Sequence, residues 1–197
     1  ILDLGGESTR PGASSVSEQE EADRVLPVLE ALVKEGVPAI LSVDTSRAAV
    51  AEAALKIAPV WINDVWALRS DLLLAQVAAR SSAPVILMHN RSKPGSVELR
   101  DRLGGAYRGA DYENLIEDVK RELLESVTMA RQAGIPGENI ILDPGIGFGK
   151  SVAQNLELIN RLDEIRALGY PILLGPSRKS FIGYTLNLPP EERMEGT

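Results

Sequence analysis

The chain has 197 residues, 44% hydrophobic and 25% charged, enough material for one domain with a substantial core. A net charge of −7 argues against a nucleic-acid surface, and the lack of cysteine excludes disulfides and thiolate metal centres. The single histidine, His89, excludes a multi-histidine zinc site, and no apolar run is long enough to span a bilayer.

The first predicted strand is Ile1–Leu4. Because it begins at the first residue, the chain reads as cut from something longer. A polar, turn-rich loop follows, Gly5 to Gly12. Ser17 and Glu20 form an S-x-x-E signature that opens a helix through Val33, and Gly36 ends it. Pro38–Val43 is the second strand, stopped by Asp44. Thr45 or Ser46 is expected to cap an alanine-rich helix to about Ile57. Val60–Ile62 is the third strand, stopped by Asn63 and Asp64, with a helix near Leu72–Arg80 after it. Pro84–Met88 is the fourth, stopped by His89 and Asn90. Arg91–Ala110 is polar and glycine-bearing and reads as a mobile excursion over one face. Tyr112–Ala133 is the longest helix. Ile140–Leu142 and Ile172–Leu174 are the fifth and sixth strands.

The stretch Ile140–Ser151 runs strand, carboxylate, glycine loop, helix. Glycines let a ligand lie against the backbone, and a helix N-terminus favours anions. It is not a phosphate-binding Walker loop, because Pro144 stands where that pattern needs glycine. Gly145, Gly147 and Gly149 alternate, which the dinucleotide fingerprint does not.

Strand–helix alternation calls for a parallel sheet with helical crossovers. No strand shows clean polar alternation, so both faces read as buried. Every strand ends in polar residues, and a (β/α) barrel gathers such ends at one mouth. The predicted fold is an incomplete TIM (β/α)8-type barrel with about six parallel strands, residues 1–197 forming one domain. Asp44 alone suits an N-cap, and Asn63-Asp64 a plain turn. Trp61 and Trp66 read as packing residues, and His89 as structural. Asp3 is expected to face the barrel interior and to need a partner.

Six blocks in order resemble dihydropteroate synthase, a TIM-barrel enzyme family of the folate pathway. They are GGESTRPGA (Gly5–Ala13), SVDT (Ser42–Thr45), IND (Ile62–Asp64), LMH (Leu87–His89), DPGIGFGK (Asp143–Lys150) and SRKSFIG (Ser177–Gly183). The family joins p-aminobenzoate to 6-hydroxymethyl-7,8-dihydropterin diphosphate, giving 7,8-dihydropteroate and diphosphate, with Mg2+. The resemblance implies that Asp44, Asn63, Met88, Asp143, Gly175 and Lys179 hold the pterin. It implies Thr9, Pro11, Gly147, Phe148 and Ser177 around p-aminobenzoate and Arg10 on diphosphate, with Asp143, Lys179 and Arg10 catalytic. Carboxylates accept from the pterin's N–H groups, while an amide or ammonium donates to its carbonyl. The family's magnesium ligand and its final Arg-x-His segment find no match here, so no metal ligand is expected in this chain. Two alternatives stay open. One is a pterin-binding methyltransferase domain, which lacks the SRKS block. The other is a fragment that binds pterin without turnover. A cytoplasmic protein, homodimeric in its full length and acting on small molecules rather than on nucleic acid or membrane, is expected.

Overall fold

The computed structural model describes residues 1–9, 14–93, 96–100 and 102–197. Among these the strands are β1 (Leu2–Gly5), β2 (Leu41–Asp44), β3 (Trp61–Asp64), β4 (Val85–Met88), β5 (Val97–Arg100), β6 (Gly104–Tyr107) and β7 (Ile140–Asp143). The helices are α1 (Glu18–Lys34), α2 (Ala48–Ile57), α3 (Leu73–Ser81), α4 (Leu115–Gln132), α5 (Val152–Asn160), α6 (Leu162–Arg166) and α7 (Ser180–Leu186).

Five strands form one parallel sheet in the order β1-β2-β3-β4-β7. Spatial order follows chain order without a reversal. Right-handed crossovers then put every helix on the same face. Neighbouring helices touch in sequence: α1 with α2, α2 with α3, α3 with α4. This is an arc of a (β/α) barrel and not a doubly wound sheet, which would reverse at a switch point.

The sixth strand is reduced to one bridge, Ile172 with Leu142. Leu142 N donates to Pro171 O at 2.9 Å and Leu173 N to Leu142 O at 2.9 Å. Pro171 has no N–H to extend the ladder, and Gly175-Pro176 soon turns the chain away. The segment Arg91–Ala110, expected as an excursion over one face, holds the antiparallel hairpin β5–β6. The Tyr184 hydroxyl donates to Gly104 O at 3.0 Å and Arg193 Nη2 to Leu103 O at 2.7 Å, so the hairpin is tied to the C-terminal region.

The register also corrects the reading of the strand faces. Gly5, Asp44, Asn63, Ile86 and Ile141 are successive partners across the sheet, and Met88 pairs with Asp143. Paired residues in a parallel sheet share a face, and faces alternate along each strand. One face therefore carries Asp3, Ser42, Asp44, Asn63, Met88 and Asp143. The other carries Val43, Ile62, Val85, Leu87, Ile140 and Leu142, which make up the helix-packed core. Polar alternation is present, but each strand has only four residues in which to show it.

Helix starts differ in the same spirit. Ser17 Oγ accepts from Glu20 N at 3.1 Å, but the Glu20 carboxylate turns to Arg24. The complete reciprocal capping box lies at Ser151 and Gln154. Arg47, with no capping side chain of its own, precedes α2. There Asp71 Oδ2 accepts from Ala48 N at 2.8 Å, from a residue distant in sequence.

Asp64 is fully buried and faces the helix side. Its carboxylate accepts from Trp66 N at 2.9 Å, from Leu68 N at 2.6 Å and from the Ser46 hydroxyl. These bonds hold Ala67 and Leu68 at φ 52° and 67°, a region that side chains rarely adopt. Asp64→Ala is expected to cost about 1–3 kcal/mol, the usual penalty for buried donors left without an acceptor, measured as a lower urea midpoint.

Candidate active site

The site is built on the loop after β7. Asp143 ends the strand, and its Oδ1 accepts from Gly145 N at 2.7 Å. Gly145, Gly147 and Gly149 have φ of 71°, 82° and 62°, which explains their alternation. Each also marks a close approach. A Cβ on Gly145 would strike the His89 carbonyl, one on Gly147 would sit 2.8 Å from Lys179 Cδ, and one on Gly149 would strike the backbone of Arg91 and Ser92. Asn155 of α5 accepts from Gly147 N at 2.6 Å.

Lys179 crosses this loop from the segment before α7. Its Nζ bonds Ile146 O and stands 4.5 Å from the centre of the Phe148 ring. Burial lowers its pKa, and Asp143 opposes that effect. Asp143 is 7% exposed. Burial raises its pKa, while the Gly145 N–H and the two lysines Lys179 and Lys150 pull it down.

Asp44 and Asn63 are partners across β2 and β3. Asn63 Nδ2 donates to Asp3 Oδ2 at 2.9 Å, but Asp3 is exposed, so it does not need that partner as a buried carboxylate would. The charges that act most on Asp44 among the described residues are negative. Burial, with the negative charge of Asp3, Asp64, Glu21 and Glu7, raises it to about 7.

A cleft of about 370 Å³ opens at the strand ends, and Thr9, Asp44, Trp66, Tyr107 and Phe148 all line it. Trp66 therefore belongs to the mouth and is 38% exposed, against its expected role in packing. Asn63, Met88, Asp143 and Lys179 are not among the residues lining that cleft: the first three share the inner face of the sheet with Asp44, and Lys179 lies against the glycine loop. Gly175 and Ser177 lie on the chain leading to Lys179, and Ser177 is exposed. Arg10 and Pro11 fall outside the described residues. Arg47 bonds Glu21 and, at 3.0 Å, Glu7, fastening the segment just after β1 to α1.

Sequence reasoning gave no role to Lys150, Glu122 or Arg91. Lys150 is 2% exposed and bonds the same glycine loop. Its signal was a lysine closing a glycine loop, where a solvated side chain is the usual reading.

A parallel arc whose inner strand ends present carboxylates, an amide and a lysine defines an α/β-barrel enzyme class. The chain belongs to the family described as pterin binding enzymes, which residues 1–197 match throughout. Its relatives include dihydropteroate synthases. The dihydropteroate synthase of Clostridium beijerinckii is 50% identical over 197 residues, covering 100% of this chain and 67% of that protein. A crystal structure of the Clostridium difficile dihydropteroate synthase, in the presence of pteroic acid, superimposes with a TM-score of 0.87 at 45% identity, covering 99% of this chain and 68% of that one. The Xanthomonas albilineans dihydropteroate synthase with 4-aminobenzoic acid gives a TM-score of 0.87 at 40% identity, over 99% and 66%. The chain spans about two thirds of the length of the curated relatives it matches.

The raised Asp44 carboxyl has a consequence for stability. The folded state keeps its proton up to about 7, the unfolded chain only to about 3.8. Between those values the folded state binds more protons, so this group's contribution is full below the lower value and is lost as pH rises through the window. Asp44→Asn removes the titration. The melting temperature of the variant, relative to the unaltered chain, is expected to climb between pH 4 and 7 (~3 pH units) and to stay level below pH 4.

Proposed function

We propose that this chain carries the pterin and p-aminobenzoate sites of a dihydropteroate synthase, joining p-aminobenzoate to 6-hydroxymethyl-7,8-dihydropterin diphosphate. The observation that carries the reading is the shared inner face of Asp44, Asn63, Met88 and Asp143, with Lys179 over Gly147 and Phe148. Relatives crystallised with pteroic acid and with 4-aminobenzoic acid support it.

Asp44 and Asp143 accept from the pterin's amino and ring N–H groups. Asn63 and Lys179 donate to its polar acceptors, and Met88 covers the ring. Breaking the carbon–oxygen bond sends its electron pair to diphosphate and leaves a cation spread over the pterin, which the Asp143 carboxylate stabilises. The p-aminobenzoate nitrogen then attacks that carbon and loses a proton to solvent. Thr9, Pro11, Phe148 and Ser177 bound the aryl amine, Gly147 keeps the loop thin beside it, and Gly175 leaves room for the pterin. Arg10 takes the diphosphate.

Magnesium belongs to the same proposal: no three carboxylate or imidazole side chains among the described residues gather so as to hold a metal, and Mg2+ ordinarily takes one or two carboxylates together with substrate phosphates. No step here is routed through it. A homodimer of the full-length protein and a cytoplasmic location belong to the same proposal. No helix among the described residues is long and apolar enough to cross a membrane.

Calorimetry with the pterin and with p-aminobenzoate, each alone, tests the site. Pterin binding without p-aminobenzoate is expected, and a chain that binds neither would sink the reading. Asp143→Asn should weaken pterin binding by about 1–3 kcal/mol. Binding should also release protons near pH 6, because pterin donors require the ionised form of Asp44, whose pKa is about 7 in the empty site. Titrations in buffers of different ionisation enthalpy measure that number directly. A value of zero would remove Asp44 from the pterin contacts.

A further inference from the structure

One charged side chain at the centre of the molecule is not used by the chemistry above. Lys150 Nζ donates to Gly145 O at 3.0 Å and to Phe148 O at 3.1 Å. Its third neighbour is His89 Nδ1 at 2.9 Å. Lysine offers only donors, so Nδ1 accepts and the imidazole proton resides on Nε2. From there it donates to Glu122 Oε2 at 3.1 Å. Glu122 Oε1 in turn accepts from Arg91 Nε at 2.9 Å, and the Arg91 guanidinium lies 4.2 Å over the Tyr112 ring.

The result is a row running from the site to α4: Asp143, Lys150, His89, Glu122, Arg91. Its charges are negative, positive, neutral, negative, positive, so no buried charge stands without a countercharge. Burial keeps His89 neutral, with its pKa down at about 4. Burial works to raise Glu122, but bonds from His89 and Arg91 outweigh it and hold it at about 2. Burial also lowers Lys150, to about 7, with Asp143 and Glu122 opposing and Lys179 and Arg91 adding to the effect.

The placement of Lys150 matters to three site groups together. It bridges the carbonyls at both ends of residues 145–148. That backbone offers Gly145 N to Asp143, Ile146 O to Lys179, and the Phe148 ring beneath Lys179. We propose that Lys150 is the positioning residue of the site, fixing this backbone through its donors and facing Asp143 with the positive charge that favours a carboxylate. The proposal rests on the pterin reading for its purpose, but its physical content holds in the empty chain.

The test is Lys150→Met, which keeps length and removes charge and donors. The Gly145 amide resonance reports Asp143 without any ligand, because its N–H is bonded to that carboxylate. In the variant its titration midpoint should rise by about one pH unit or more. The dissociation constant for 6-hydroxymethylpterin at neutral pH should rise about tenfold, with the loss greatest toward acid, where Asp143 protonates. An unchanged Gly145 midpoint, or an equal loss of affinity at every pH, would overturn the proposal. If circular dichroism shows the variant unfolded, the unaltered chain decides. Its Gly145 amide should show a second inflection near pH 7 that coincides with titration of the Lys150 ammonium nitrogen. A flat trace there overturns the idea equally. Should the unaltered chain bind no pterin, the functional reading fails, and the Gly145 titration still judges Lys150.

Discussion

The structure depends on one constraint, the parallel register of five four-residue strands laid down in chain order. Each strand alternates faces, and helices cover only one of them. That single arrangement sends Val43, Ile62, Leu87 and Leu142 into the helix-packed core. It sends Asp44, Asn63, Met88 and Asp143 to the opposite face, at the ends where the crossover loops begin. A slip of one residue in any strand would exchange the two sets and bury a carboxylate against aliphatic helix faces. The site and the core are thus two sides of the same register.

The second layer of organisation is electrostatic. The site gathers Asp44 and Asp143 in poorly solvated positions, and both carboxyls are raised by burial. They differ in what surrounds them. Asp143 has two lysines acting on it, while the charges acting on Asp44 among the described residues are carboxylates. A site of this kind suits a ligand edge rich in N–H donors, because such an edge supplies Asp44 with donors beyond those the described residues give it. On the proposed pterin reading, an analogue without those donors would leave buried groups unpaired and be rejected.

The glycine loop shows how backbone and side-chain demands meet. Three positive φ angles thin the loop enough for Lys179 to lie against Gly147 and for the loop itself to rest on the backbone of His89 and Arg91. Asp143, Asn155 and Lys150 then hold its amides and carbonyls from three sides. The β5–β6 hairpin adds a flank, with Tyr107 lining the same cleft and Ala110 N bonded to Gly149 O at 2.8 Å.

The sequence by itself determined the strand–helix alternation, the barrel class and the polar strand ends, because hydrophobic runs and turn residues act locally. The motifs around Asp143 and Lys179 were legible for the same reason: each is contiguous. Tertiary structure alone decided the facing of the strands, since four residues are too few to display a period of two. It decided that Arg91–Ala110 contains a hairpin, whose bonds to Tyr184 and Arg193 span 80 and 90 positions. It also decided that Trp66 lines the mouth, held there by the Asp64 bonds to the turn that follows. And it assembled Lys150, His89, Glu122 and Arg91 from a loop end, two strand-end residues and the middle of a helix. Their spacing carries no pattern, because long-range ion pairing is set by where the crossovers bring the chain and not by neighbours in sequence.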